Sequence, residues 1–408
     1  MFNFFGGGKN YSVGIDFGTS AIKVIELSRK NQKISLENYG WVDLGLNNPS
    51  TISKPAAPNF QLDYNKKLQK YLEKLIKSLK LKSNSAYISL PGFSGLITII
   101  EFPDMNEEEL EEAIKFEARK YIPISLDEVA LDWEIIGKIP VKSEQNAEEK
   151  KPVEIQEIKK EEKREGEKKA GIMSKNLGGI FSKSSFGKHS LSDGKNEILL
   201  VAAPKSEVMR CGNIVKEAGL EVKNVELELF SLARALSGDD PGCFLIIDIG
   251  ARITNIILVE KGVIKVNRNV EGGGIEITNI IAESLNISKQ RAEELKKEDE
   301  DIINSKEMSL TIPVLDMIAN ESVRIVDALK EKKSALRVDG VILSGGSSKL
   351  KGLDKYFQQK IGIQTSVGNP WRKVVFNDKL NPFVKKMGNS FSVALGLAFR
   401  GLEEIDQK

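Results

Sequence analysis

The alternation of apolar and polar positions is clearest in two short stretches that echo each other. Residues 13–27 read VGIDFGTSAIKVIEL, and residues 245–259 read LIIDIGARITNIILV. With Asp16 set on Asp248, Gly18 falls on Gly250. Ile15, Phe17, Val24, Ile25 and Leu27 then fall on Ile247, Ile249, Ile256, Ile257 and Val259. Each stretch predicts two β-strands joined by a short polar turn. A third strand is expected after each, over 33–44 and over 262–270, the second opened by the turn pair Lys261-Gly262. Two halves that open on the same β-meander predict a duplicated α/β fold with a cleft between two lobes.

Between the meanders the period changes. Leu68, Leu72, Leu75, Ile76 and Leu79 share one helical face and predict a helix over 65–79. Strands are expected over 86–90, ending at Pro91-Gly92, and over 95–102. Asn106 with Glu109 is a capping pair that opens a helix, and Pro123 stops it. A strand over 197–203, a helix over 206–218 closed by Gly219, a strand over 222–225 and a helix over 227–236 follow. Residues 141–195 break this order. They are rich in Lys and Glu, then in Gly, Ser and Lys, and bury too little apolar surface to offset chain entropy, so a disordered or partly helical insertion is expected. The expected organisation is a first lobe starting over 10–85 and an inserted α+β subdomain over 86–204 that carries the 141–195 loop. A return to the first lobe with a connecting helix over 205–240 and a second lobe over 241–400 complete it.

Charge and composition narrow the partners. A net charge of +2 gives no basic field for nucleic acid. The two cysteines, Cys211 and Cys243, fit a reducing compartment and read as core filler. No apolar run is long enough to span a membrane, and the opening MFNFFGGGKN is too short for a signal peptide and reads as a loose terminus. These features predict a cytoplasmic protein. The single histidine, His189, falls in the insertion and reads as a solvated side chain.

Three motifs carry chemistry. The first is Asp16 to Lys23, DFGTSAIK. A tight turn between strands presents backbone N–H groups to phosphate oxygens, and Gly18 allows close approach. Thr19 and Ser20 add hydroxyls, Lys23 adds a positive charge, and Asp16 suits Mg²⁺ through water. A plain hairpin with a turn aspartate is the alternative for this string alone. The second motif, from Asp248 through Gly250, Ala251 and Arg252 to Thr254, repeats this logic, with Ala251 in place of a hydroxyl residue. Arg252 reaches either a phosphate or solvent. The third runs from Val341 to Gly352, where a buried strand leads through Gly345, Gly346 and Ser347 to a helix start, which favours a flat sugar or base and negative charge.

In this order and spacing the trio resembles the actin, heat-shock chaperone and sugar kinase superfamily, with two phosphate motifs and an adenosine motif. The resemblance implies an α/β, actin-like (ribonuclease H-like) two-lobe fold that binds ATP and Mg²⁺, with Asp16 and Asp248 on the metal. Residues 288–297, SKQRAEELKK, look like the superfamily helix that touches ribose and base, with Glu293 and Lys296 as the matching pair; an ion pair on a solvated helix is the alternative. The segment from Asn224 to Ala235 resembles the connecting segment that bears a water-orienting residue, Glu226 or Glu228.

Within the superfamily the likeness narrows to the PilM family of type IV pilus assembly scaffolds. It is carried by Leu90-Pro91, EAIKFEARKYI followed by Pro123, Leu131-Asp132-Trp133, EAGL at Glu217, Arg268 with Glu271-Gly272-Gly273-Gly274, Asn369-Pro370-Trp371 and ALGLAFRG at Ala394. It covers nearly the whole chain except 141–195. It implies a protein at the inner face of the cytoplasmic membrane that holds the cytoplasmic tail of a PilN-like protein, in a pilus or related type II secretion-like machine. The tail is expected between the first lobe and the inserted subdomain, near Leu90-Pro91 and the 112–121 helix. Ala251 and Arg252 depart from the superfamily pattern and imply slow ATP hydrolysis at most. Homo-oligomerisation stays open. An FtsA-like division protein is the alternative within the fold, although it would want a C-terminal amphipathic membrane helix where this chain reads GLEEIDQK. A metabolic kinase would want an aspartate base beside a sugar pocket.

Overall fold

The computed structural model describes residues 10–44, 58–140, 194–298, 300–304, 310–332 and 337–406. The insertion expected over 141–195 lies outside them, His189 included, except that residues 194 and 195 open a strand. In chain order the elements are β1 (Tyr11–Phe17), β2 (Ala21–Lys30), β3 (Lys33–Asp43), α1 (Pro58–Leu79) and β4 (Ser85–Leu90). Then come β5 (Leu96–Pro103), α2 (Glu107–Ala118), β6 (Val129–Pro140), β7 (Gly194–Pro204), α3 (Lys205–Glu217), β8 (Glu221–Leu227) and α4 (Glu228–Leu236). The remainder is β9 (Cys243–Ile249), β10 (Ile253–Glu260), β11 (Val263–Glu271), α5 (Gly274–Leu285), α6 (Lys289–Leu295), α7 (Pro313–Lys332), β12 (Gly340–Ser344), α8 (Leu353–Ile361), β13 (Thr365–Val367), β14 (Val374–Val375), α9 (Asn381–Met387) and α10 (Ser392–Asp406).

The repeat read from the sequence is a repeat of topology. One sheet runs β14-β3-β2-β1-β4-β8, the other β11-β10-β9-β12-β13. Without β14 the two share one order: an antiparallel meander, then two parallel strands. Alternate residues of each central strand face opposite layers. Val13 and Ile15 of β1 join the core under α1 and α3. Leu245, Ile247 and Ile249 of β9 join the core under α5, α7 and α8. The inner faces meet α4 and α10, which lie between the sheets: Ile25 and Leu27 pack on α10, while Ile246 and Ile257 pack on Leu229 and Leu232 of α4.

A third sheet, β5-β7-β6, is the inserted subdomain. Asn106 caps α2 as expected, its side chain accepting from the Glu109 amide at 2.9 Å. One sheet face (Ile198, Leu200, Ala202) carries α2, and the other (Leu199, Val201, Ala203) packs on the first-lobe core.

Two boundaries and one placement differ from expectation. β4 pairs with β1 and β8, so it belongs to the first-lobe sheet and the subdomain begins after it, not at 86. β14 pairs with β3, and α10 packs on β1 and β2, so the chain after β13 returns to the first lobe instead of ending the second at 400. Finally, α2 sits on the sheet face turned away from the first lobe, and Leu90 is buried in the core. Leu90 and α2 therefore do not face the space between first lobe and subdomain near which they were expected, while Pro91 is half-buried beside it. Periodicity marks a helix or strand, but not which distant sheet it completes.

Candidate nucleotide cleft

The repeat brings two aspartates to equivalent strand ends. Asp16 stands opposite Lys23 in the β1–β2 register, and Asp248 stands opposite Asn255 in the β9–β10 register. Each also has a serine on its parallel neighbour. Ser89 donates to Asp16 at 3.3 Å, and Ser344 hydrogen-bonds Asp248. The residue opposite breaks the symmetry. Lys23 donates its ammonium to Asp16 at 3.1 Å, whereas Asn255 offers Asp248 a neutral amide. The electrostatics follow. Burial pushes the Asp248 carboxyl up to about 6; Asp16 adds to the rise, while Ser344, Lys23 and Asn255 oppose it.

Glu228, the first residue of α4, is the third acid of the cleft. Burial raises its carboxyl to about 8, with Asp16 and Asp248 adding to the shift. Its Oε1 accepts from the Gly92 amide at 2.8 Å and from Asn255 Nδ2 at 2.9 Å. Glu226 lies two residues earlier but is engaged elsewhere. Its buried carboxylate accepts from Arg234 at 2.8 and 3.1 Å, and from Ser231 and Arg400. Burial works against its charge, yet the two guanidinium groups more than offset this and hold it down at about 2. Of the two glutamates expected to orient water, the fold turns only Glu228 toward the aspartates.

The raised Glu228 carboxyl has a consequence for stability. A neutral acid suits its site, so its contribution is complete below the ordinary value of 4.5 and is lost as pH rises through about 8. Glu228→Gln is expected to flatten that loss by roughly a few kcal/mol. The measurement is urea unfolding from pH 5 to pH 9 without nucleotide or Mg²⁺. Superimposable profiles for variant and parent would exclude the assignment.

The remaining motif residues lie on the two hairpin turns and around the start of α5. Gly18, Thr19 and Ser20 form the β1–β2 turn, and Gly250, Ala251 and Arg252 the β9–β10 turn, all at least partly open to solvent. The start of α5 fastens the second turn: Gly274 and Ile275 amides donate to the Gly250 and Ala251 carbonyls, each at 2.9 Å. Those two amides of the helix start therefore hold a loop instead of an anion. A Cβ on Gly274 would stand 2.6 Å from Ser347 Oγ and 3.3 Å from Lys296 Nζ, so the adenosine motif and α6 converge there. Lys296 is buried and bonds the Gly274 carbonyl at 2.9 Å, Thr278 at 3.0 Å and Glu293 at 2.9 Å. Burial lowers its pKa, partly offset by Glu293. Gly345 turns the chain with φ of 87°, and a Cβ there would strike the Ile249 backbone. Gly346 is exposed, and a Cβ there would meet nothing within 4 Å, which leaves a flat open floor.

Asn255 and Ser89 were not singled out by sequence, Ser344 only as part of the third motif and Gly92 only as a strand end. The repeat held a signal for the first, because the offset that sets Asp16 on Asp248 also sets Lys23 on Asn255.

A duplicated sheet with paired aspartates facing a cleft and a Gly-Gly floor defines the actin-like class of two-lobe proteins. The family described as "Type IV pilus assembly protein PilM" matches residues 14–150 and 184–402, and the chain belongs to it. A solved "PilM-PilN type IV pilus biogenesis complex" shares the fold with a TM-score of 0.69, at 22% identity over 96% of this chain and 98% of that one. The cell division protein FtsA of Staphylococcus epidermidis is 20% identical over 234 residues, 52% of this chain and 49% of its own, so the match spans about half of that relative's length. The ethanolamine utilization protein EutJ of Escherichia coli is 34% identical over 85 residues, 21% of this chain and 30% of its own. Among the described residues no helix is long and apolar enough to cross a membrane.

Proposed function

We propose that the protein is a scaffold of type IV pilus assembly that holds ATP with Mg²⁺ between its lobes and docks the cytoplasmic tail of a PilN-like membrane protein. The observation that carries the nucleotide reading is the convergence of three motifs, far apart in sequence, on one cleft. Gly18 to Lys23 and Gly250 to Arg252 supply the phosphate turns, Gly345 to Ser347 the adenosine floor, and Glu293 with Lys296 its side wall. Among the described residues no three acidic, His or Cys side chains stand close enough to cage a metal ion. That suits Mg²⁺, which keeps much of its water and binds one or two carboxylates beside phosphate oxygens. Asp16 and Asp248 are those carboxylates, and the ion would neutralise phosphate charge. Ala251 leaves the second turn without a hydroxyl, which supports slow hydrolysis at most. Docking through a membrane-bound tail would place the protein at the inner face of the cytoplasmic membrane. β6, at the edge of the subdomain sheet, offers an extended segment a strand to pair with.

Titration calorimetry tests the nucleotide reading. Asp16→Ala is expected to weaken Mg²⁺-dependent ATP binding by about tenfold or more, ~1.4 kcal/mol. Gly346→Val fills the open floor and is expected to do at least as much. Unchanged affinity in both variants defeats the reading. A synthetic PilN-like tail peptide, followed by fluorescence anisotropy, should bind with micromolar affinity, about −8 kcal/mol. No binding with or without ATP counts against the docking.

A further inference from the structure

A single carboxyl ties the cleft to the inserted subdomain. Glu228 sits at the start of α4, and the two groups that donate to it come from different bodies. Gly92 leads from β4 of the first lobe into β5 of the subdomain. Asn255 stands on β10 of the second lobe and also hydrogen-bonds Asp248. Asn255 is buried, 3% exposed, and its Oδ1 has no partner among the described residues. A Cβ on Gly92 would stand 3.0 Å from that oxygen, so the subdomain's entrance rests against this amide. A second tie lies farther out. Lys265 of β11 pairs with Glu197 of β7 at 3.3 Å, and both side chains are largely buried. Ile97 of β5 packs against the same cluster as Val259 and Ile264 of the second lobe.

We infer that Asn255 is a positioning residue that presents Glu228 to the cleft, and that the chain Asn255–Glu228–Gly92 couples cleft occupancy to peptide docking on the subdomain. The inference rests on the nucleotide and tail reading above. A carboxyl drawn toward a cation bound in the cleft weakens its hold on the Gly92 amide. An N–H left without an acceptor costs about 1–3 kcal/mol, so the entrance to the subdomain shifts or finds another acceptor. Linkage then requires the tail to change nucleotide affinity by the same factor as nucleotide changes tail affinity.

The experiment measures tail-peptide affinity on the full chain, with and without Mg²⁺ and a non-hydrolysable ATP analogue. The parent protein is expected to show a change of about fivefold or more, the lower end of ordinary coupling. Asn255→Ala is expected to reduce it to less than about twofold, read as the ratio of tail affinities with and without saturating nucleotide, whatever the variant's own nucleotide affinity. Lys265→Gln cuts the outer tie without touching the cleft, and should leave nucleotide affinity unchanged and lessen the coupling. A ligand-free readout separates positioning from general support. In Asn255→Ala the Gly92 amide should exchange hydrogen about tenfold faster, while core amides of β1 and β9 exchange as in the parent. The inference is overturned by an equal coupling factor in parent and Asn255→Ala, or by a parent that binds both ligands with no mutual effect. If no nucleotide binds, the reading above and the coupling fall together, and Gly92 exchange alone decides whether Asn255 positions Glu228.

Discussion

Replacing Glu226 by alanine is expected to lower the unfolding free energy by about 3–5 kcal/mol, the usual result of removing one partner from a buried ion cluster. Arg400 is almost fully buried and Arg234 largely so, and both direct guanidinium nitrogens at Glu226. Without the carboxylate they remain in a low-dielectric layer between two sheets, short of their principal counter-charge. The loss should appear in urea unfolding at neutral pH, while under the proposed function the ATP affinity of the folded fraction stays near that of the parent. The acid side gives an independent check. Because the folded carboxyl is held at about 2, its contribution is present above the ordinary 4.5 and disappears as pH falls through about 2. Parent and variant should therefore converge in stability at low pH. A stable variant that has lost ATP binding would instead put Glu226 in the cleft.

A second large effect is expected at Gly396 in α10. A Cβ there would lie well inside contact distance of the Ser231 carbonyl in α4. Alanine at an ordinary helical glycine stabilises by up to about 1 kcal/mol. At Gly396 the sign should reverse, with a loss of about 1–3 kcal/mol or more as α10 is forced off α4. Gly212 in α3 is the internal comparison, since a Cβ there meets nothing within 4 Å. Gly212→Ala should raise stability while Gly396→Ala lowers it, both read as shifts in the urea midpoint. Shifts of the same sign would mean that the α4–α10 contact is looser than described.

The β-meanders and their aspartates were legible because a half-buried strand writes its period directly into the sequence. Gly18, Gly250 and Gly345 were legible because turns restrict residue type. Glu226 and Glu228 could not be told apart. Both are acidic residues beside a strand-to-helix junction, and only the fold sets one against two arginines and the other against two aspartates. Asn255 was passed over because an amide inside an apolar strand resembles a tolerated interruption, and its value comes from a carboxyl 27 residues away. The home of α10 was hidden for a different reason. Its residues from Ser392 to Leu402 are buried without interruption, so no polar face shows which side is which. The small residues that let it in, Gly14 below and Gly396 within, look unremarkable as letters.

The placement of α10 bears on how the chain is made. The second-lobe sheet is built from one continuous stretch, Cys243 to Val367, whereas β1 waits for a helix that begins at Ser392. During synthesis the second-lobe sheet can therefore close its core while β1 and β2 still show Ile25 and Leu27 on an uncovered face. Contacts so distant along the chain carry a high loop-closure cost and form late. The β1–β2 part of the first lobe is thus made before the second lobe and finished after it, and its bare sheet face is the kind of surface that a folding chaperone would meet.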